Sequence, residues 1–416
     1  MERYIDPSHL KGTVKAPSSK SMTQRAIAAG LLATGNSIIH NPSYCDDSLA
    51  AMSMAVGLGA RVEPSPDRLL IHGTGELKEA KLNCGESGLA IRMFSPIAAL
   101  YSEEILITGA NSLRKRPMKM IEEALSQLGV QCQTTNGLLP LSIKGPLQGG
   151  KCTIDGSVSS QLLTGLLMAL PLAEKDSEVT VINLKSSPYI DMTIEILKDF
   201  GINIVNEDYK HFRISGNQKY RACEYTVEGD WSGGAFLLVA GAINGEIAVA
   251  GLKQSSRQSD MAVLNALKDA GASVKAEKDT FLVRASELKA FSFDATHSPD
   301  LFPPLVALAS YCKGTSTIKG VSRLIHKESN RADTIRTEFG KLGIGVEISG
   351  DIMTITGGRV KGARVESHED HRIAMAMAVT ALKADGRVYI KDSQSIAKSY
   401  PAFFDDLRSL GALVYE

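Results

Sequence analysis

Read for its order of apolar and polar positions, the chain repeats one short pattern six times. An amphipathic helix ends at a glycine, and a small or β-branched residue and a short strand follow. The pattern occurs at Leu58-Gly59-Ala60-Arg61-Val62, Leu128-Gly129-Val130-Gln131-Cys132 and Phe200-Gly201-Ile202-Asn203-Ile204. It returns at Ala270-Gly271-Ala272-Ser273-Val274, Leu342-Gly343-Ile344-Gly345-Val346 and Leu410-Gly411-Ala412-Leu413-Val414. Successive glycines lie 70, 72, 70, 72 and 68 residues apart. The residue after a helix often takes left-handed dihedrals, which glycine enters without a Cβ clash.

Around each glycine the unit extends in both directions. Upstream stand strand-like runs such as Ile105-Leu106-Ile107-Thr108, Val179-Thr180-Val181-Ile182 and Val388-Tyr389-Ile390-Lys391. Before them come apolar helices predicted over 160–171, 232–242 and 371–383. Downstream a second strand often closes in glycine, at Gly73, Gly145, Gly216 and Gly357. Each unit reads as strand, helix, strand, helix, strand, strand, too long a period for a solenoid. Helices with Ala376, Ala378 and Ala381, or Leu166, Leu167 and Ala169, are apolar nearly all round and belong in the interior. The expected fold is α/β with helices inside and sheets outside. Six units fall into two groups of three, dividing near residues 225–232. No long linker joins the groups, so two domains meeting at a cleft are expected.

Composition narrows the function. The 416 residues hold 46 Lys plus Arg and 46 Asp plus Glu, a net charge of zero, with no charge run. That argues against a nucleic-acid partner. No apolar run approaches the ~20 residues of a membrane helix, and the start lacks the plan of a signal peptide. Six scattered cysteines without a C-x-x-C pair read as reduced residues of a cytoplasmic protein.

Against this neutral background, cations recur at equivalent places of the repeat. Loops after the upstream strands carry them in 109–117 (Arg114-Lys115-Arg116), 323–331 (Lys327, Arg331) and 397–401 (Lys398). Hydroxyls gather where the interior helices begin: Ser18-Ser19-Lys20-Ser21, Glu86-Ser87-Gly88 and Ser157-Val158-Ser159-Ser160-Gln161. A helix start offers unpaired N–H groups and a partial positive charge, which suit phosphate or carboxylate. A serine there is also an ordinary N-cap, and a basic loop an ordinary solvated turn. Their convergence on one end of one repeat implies a small polyanionic ligand. Asp300, at the start of the fifth unit's apolar helix, reads by default as a cap. Glu328, between Lys327 and Arg331, is either charge balance or a working acid. Walker-type, dinucleotide-binding, nucleophile-elbow and zinc-helix motifs are absent. His368-Glu369-Asp370-His371 fits no standard metal spacing, and Asp370 is expected to cap the helix after it.

At this point the residues resemble a known family. Pro17-Ser18-Ser19-Lys20-Ser21-Met22-Thr23-Gln24-Arg25 is similar to the P-G-S-K-S-x-S-N-R signature of the 5-enolpyruvylshikimate-3-phosphate synthases. So are Asp155-Gly156-Ser157-Val158-Ser159-Ser160-Gln161, Ser186-Ser187-Pro188-Tyr189-Ile190-Asp191, Lys327-Glu328-Ser329-Asn330-Arg331, Asp370-His371-Arg372 and Ala397-Lys398, in the family's order over nearly the whole chain. The resemblance implies a two-domain inside-out α/β barrel of six β-α-β-α-β-β repeats, three per domain, with the active site in the interdomain cleft. The domains would be residues 1–14 with 227–416, and 15–226. It implies transfer of the enolpyruvyl group of phosphoenolpyruvate to shikimate 3-phosphate in aromatic amino-acid biosynthesis.

Carried over motif by motif, shikimate 3-phosphate would meet Lys20, Ser21, Arg25, Ser159, Ser160, Gln161, Ser186, Asp300 and Lys327. Phosphoenolpyruvate would meet Lys20, Gly88, Arg116, Gln161, Arg331, Arg372 and Lys398. Asp300 would accept the hydroxyl proton, and Glu328 or Lys20 would protonate the methylene. The resemblance implies no metal and no cofactor. A monomer with no nucleic-acid and no membrane partner is expected. In this family glyphosate occupies the phosphoenolpyruvate pocket.

Some positions depart from the family. Glu86-Ser87-Gly88-Leu89-Ala90-Ile91-Arg92 replaces the usual Asn-Ala-Gly-Thr-Ala-x-Arg, placing a carboxylate near the expected anion pocket and removing a hydroxyl. Asn330 stands where Asp is usual, and Arg323 where Asn is common. The transferase acting on UDP-N-acetylglucosamine would have Asn after the first-helix lysine and usually a Cys in the second loop. Here Ser21 follows Lys20, and 109–117 has no Cys. A non-catalytic anion-binding relative is the remaining alternative, against which Asp300 and Glu328 both stand.

Overall fold

The six repeat glycines end helices in the way their spacing requires. Gly59, Gly129, Gly201, Gly271, Gly343 and Gly411 have φ of 112°, 78°, 82°, 79°, 84° and 99°. After each one, the next N–H reaches back to a carbonyl five residues earlier, as from Ala60 to Ala55, Ile202 to Leu197 and Ala412 to Leu407, each at 2.9 Å. This reach satisfies one of the last carbonyls of the helix and turns the chain into a strand.

A computed structural model describes residues 1–73 and 76–416. They form two compact units, Met1–Pro17 with Glu228–Glu416, and Ser18–Val227. Each unit carries three four-stranded sheets. A sheet of the second unit shows the pattern: Lys151–Asp155 runs parallel to Ser177–Ile182, which pairs antiparallel with His211–Ile214, itself antiparallel to Val205–Glu207. Lys151–Asp155 buries alternate residues, as a strand with one covered face must.

Three strands leave their sequence neighbours. Leu10–Lys15 pairs in parallel with Gly245–Ala250, and Glu224–Thr226 with Gly35–His40. The first unit's last sheet is completed by the other end of the chain. Glu2–Asp6 lies between Val388–Lys391 and Leu413–Tyr415, antiparallel to both. Its Tyr4 stacks on Tyr415 at 4.9 Å, and Arg387 donates twice to Asp6 at 2.8 Å. Without that strand, Val388–Lys391 and Leu413–Tyr415 would each present an open edge.

Helices fill the interior of each unit, as the all-round apolar pattern predicts. Gly88–Ala98, Phe302–Ala309 and His371–Ala381 are buried at every position. In the second unit Gly88–Ala98 packs on Gln161–Ala169 and Lys20–Leu32; in the first, Trp231–Asn244, Phe302–Ala309 and His371–Ala381 pack on one another. Gly165 permits one close approach, since a Cβ there would lie 2.6 Å from the Arg92 carbonyl. No helix among the described residues is long and apolar enough to cross a membrane.

Candidate functional site

In the unit Ser18–Val227 the interior helices begin beside one another. Ser19 caps the first, accepting from Met22 N at 3.4 Å, and Ser87 caps the second, accepting from Ala90 N at 3.2 Å. Ser87 Oγ also donates to Gln24 Oε1 at 3.0 Å, tying the two starts together. Arg92 does the same for the second and third, with Nη1 donating to Gly88 O and to Gln161 Oε1, each at 3.2 Å. The serines thus serve as ordinary caps and also as connectors.

Lys20, at the first helical position, pairs with Asp47 Oδ2 at 2.8 Å, both side chains 12% exposed. Gly88 lies against Arg116: a Cβ on it would be 2.5 Å from Nη1. Ser159 Oγ accepts from Gln161 N at 3.1 Å. Ser160 is buried at the helix start, and Ser186 is buried with a left-handed φ of 58° just before Pro188–Asp199. Arg25 is buried; it donates to Thr193 Oγ1 at 2.9 Å, Ser21 O at 2.9 Å and Thr164 Oγ1 at 3.3 Å. Burial pushes its guanidinium down to about 10, against Tyr189 and Tyr225. Glu86 accepts from Asn111 Nδ2 and Ser112 Oγ, both at 3.0 Å. Its charge therefore anchors the 3-10 turn Asn111–Lys115 that delivers Arg116.

In the unit Met1–Pro17 with Glu228–Glu416, one arginine gathers three carboxylates. Arg331 opens the helix Arg331–Lys341 and is fully buried. It donates to Asp370 Oδ2 at 2.9 Å, Asp300 Oδ1 at 3.0 Å and Glu328 Oε2 at 2.6 Å. Burial works against its charge, but Asp370, Glu328 and Asp300 outweigh it and push its pKa up. Asp300 also takes Lys327 Nζ at 3.2 Å and Arg372 Nη2 at 3.0 Å. It lies in the turn Pro299–Leu301 ahead of Phe302–Ala309, where it ligates cations, and no side chain caps that helix. Asp370 does cap its helix, accepting from Arg372 N at 3.0 Å, and Lys398 Nζ donates to Glu369 O at 2.7 Å. Burial lowers the Lys327 pKa, opposed by Asp300. Among the described residues no group of three or more His, Cys, Asp or Glu is placed to hold a metal.

The sequence did not single out Asp47, Arg92, Thr164, Thr193 or Asp260. Asp260 is buried; Ser232 Oγ donates to its Oδ2, and Ser259 Oγ to its Oδ1 at 3.3 Å. Burial first, then Asp300, push its carboxyl up to about 6, against Arg372 and the Ser232 bond. The folded chain therefore holds the extra proton, and stability falls as pH rises from 3.8 through about 6. Asp260→Asn is expected to melt above the parent at about pH 7, with the gap closing below about pH 4. A gap that ignores pH would mean that Asp260 titrates as an ordinary carboxyl.

The inside-out α/β architecture, with cations and carboxylates paired at helix starts in each unit, defines the class of fold. The EPSP synthase from Acinetobacter baumannii has this fold, with a TM-score of 0.84, 27% identity and full coverage of both chains. The family model for EPSP synthase (3-phosphoshikimate 1-carboxyvinyltransferase) matches residues 5–407. A 3-phosphoshikimate 1-carboxyvinyltransferase of Clostridium perfringens is 37% identical over 99% of this chain and 98% of its own. One of Methanocella arvoryzae is 39% identical over 99% of each chain. The chain belongs to the EPSP synthase family.

Proposed function

We propose that this chain transfers the enolpyruvyl group of phosphoenolpyruvate to the 5-hydroxyl of shikimate 3-phosphate, releasing phosphate, on the path to aromatic amino acids. Membership of the family supports the reaction, and the observation that carries the chemistry is Asp300. Lys327, Arg331 and Arg372 all contact its carboxylate, which favours the ionised form that a general base needs. The hydroxyl oxygen attacks C2 of the vinyl group and its proton passes to Asp300. A proton from Glu328 or Lys20 adds to the methylene carbon, giving a tetrahedral ketal. Loss of phosphate and of one methyl proton restores the double bond as an enol ether.

The two candidates for the acid differ in setting. Lys20 Nζ lies 2.8 Å from Asp47 Oδ2, whereas Glu328 Oε2 accepts from Arg331 Nη2 at 2.6 Å. Glu328 becomes a donor once an anionic substrate draws Arg331 toward itself. Arg331, Arg372 and Lys398, with Lys20, Gly88, Arg116 and Gln161, are assigned to phosphoenolpyruvate. Ser21, Arg25, Ser159, Ser160, Gln161, Ser186 and Lys327 are assigned to shikimate 3-phosphate, with Lys20 and Asp300. Binding two multiply charged anions beside each other in a fixed array supplies much of the rate. A phosphate-release assay with both substrates tests the reading, and no phosphate above the single-substrate controls would sink it. The chain is taken to act in the cytoplasm as a monomer; its six free cysteines, most of them buried, suit a reducing compartment.

Gly88→Ala tests the anion pocket directly. The new Cβ would lie 2.5 Å from Arg116 Nη1 and 2.9 Å from Cζ, so the guanidinium must shift. Displacing one charge-assisted donor is expected to raise KM for phosphoenolpyruvate roughly tenfold, with KM for shikimate 3-phosphate little changed. Equal KM values in variant and parent would remove the Gly88–Arg116 contact from substrate binding.

A further inference from the structure

The cations Arg331 and Lys398 are held from one short turn, and that turn is itself strained. His368 and Glu369 both have left-handed φ, 52° and 58°. Such dihedrals are unfavourable for residues with a Cβ and persist only where the surroundings impose them. The turn is nonetheless the source of two contacts in the cation cluster. Asp370 takes Arg331, and the Glu369 carbonyl takes Lys398.

The surroundings that impose it come from the helix Arg331–Lys341. Glu338 is seven residues beyond Arg331, two turns along the same face. Its carboxylate is fully buried, yet accepts from Glu366 N at 2.9 Å, His368 Nε2 at 2.8 Å and Lys341 Nζ at 2.8 Å. Burial would raise its pKa, but the Lys341, His368 and Glu366 bonds together pull it below the usual value, so the group is an anion. One helix thus grips residues 366–370 at both ends, through Glu338 at His368 and Glu366 and through Arg331 at Asp370. Ser367 N–H adds a bond to Lys391 O at 3.1 Å, and Asp370 N–H one to Ser367 O at 2.9 Å.

We infer that His368 and Glu338 are positioning residues, which set the backbone of 367–370 so that Asp370 and the Glu369 carbonyl present Arg331 and Lys398 to the phosphoenolpyruvate anion. Neither residue touches substrate; both act through the turn. The inference rests on the assignment of Arg331 and Lys398 to phosphoenolpyruvate made above.

The test compares His368→Leu, which removes the donor, with His368→Gln, which keeps an amide N–H of similar reach. His368→Leu is expected to raise KM for phosphoenolpyruvate about three- to tenfold, with kcat within about twofold and KM for shikimate 3-phosphate unchanged. His368→Gln is expected to restore most of the loss. Amide exchange at Ser367 and Asp370 should be faster in His368→Leu than in the parent. Unchanged exchange, or a Gln variant no better than Leu, overturns the clasp. Faster exchange with an unchanged KM overturns the delivery of Arg331 and Lys398 to that anion. A parent that releases no phosphate from the two substrates is the separate failure of the functional reading, and exchange still decides the clasp in that case.

Discussion

Arg331→Ala is expected to cost both the fold and the activity of this protein more than any other single truncation in its cation clusters. The side chain is completely buried and donates to Asp300, Glu328 and Asp370 at once. Removing it leaves three carboxylates close together with their common cation gone. Breaking a buried ion pair from one side typically costs roughly 3–5 kcal/mol, because the remaining charge is uncompensated. The carboxylates answer by taking up protons, since like charges at short range cannot all stay ionised. Asp300 still has Lys327 and Arg372 to hold its charge, so the loss of rate comes from the missing cation that phosphoenolpyruvate would meet. Arg331→Lys separates the two effects, because an ammonium is a point charge and cannot serve three acceptors in one plane. It is expected to recover part of the stability and little of the rate. Denaturant unfolding and kcat on both variants check this, and an alanine variant with the parent's unfolding midpoint would show that the network contributes nothing to stability.

The architecture was legible in the sequence to the extent that local backbone demands set it. A glycine after each of six helices is required by the left-handed residue there, whatever packs nearby, so the period of about 70 survives as a visible signal. The interior position of the helices was equally readable, because an apolar helix has no solvent face to offer. The partners of Leu10–Lys15, Glu2–Asp6 and Glu224–Thr226 were not written locally. Glu2–Asp6 pairs with residues almost the whole chain away, and nothing within a strand of five residues names its partner.

The same division runs through the site. Ser19, Ser87 and Asp370 were expected as caps and cap their helices. Asp300 sits in an equally cap-like position and ligates three cations instead, a difference made by Arg331 and Arg372 from distant parts of the chain. Asp47 was invisible for a related reason. An acid in the first turn of Asp46–Gly57 is what helix electrostatics favours anyway, so its pairing with Lys20 leaves no trace. Glu86, by sequence a stray negative charge beside an anion pocket, has Asn111 and Ser112 on its two oxygens, partners that its own stretch of chain does not name.

Asp300→Asn is expected to separate chemistry from binding. Asparagine keeps the shape of the side chain and its place between Lys327, Arg331 and Arg372, but it can neither accept the hydroxyl proton nor carry charge. Loss of a positioned base typically lowers kcat by ~10²–10⁴-fold. Binding should move the other way. Three cations lose a counter-charge that lies 3.0–3.2 Å from each of them, so anionic substrates meet a more positive site. The dissociation constant of shikimate 3-phosphate is therefore expected to stay level or fall while turnover collapses, the pattern of an interaction that matters mainly in the transition state. Lys327 adds a pH signature. Burial already lowers its pKa, and Asp300 is the first of the groups that raise it. Without Asp300 the ammonium loses its proton at a lower pH than in the parent. Because the charged form is the one that holds an anion, affinity should decline with rising pH earlier in the variant. Calorimetric titration across pH, beside kcat on the same protein, reads both effects. A variant that keeps kcat within a few-fold of the parent would take Asp300 out of the proton transfer, and one that loses affinity at every pH would show that its own hold on the substrate outweighs the charge it removes.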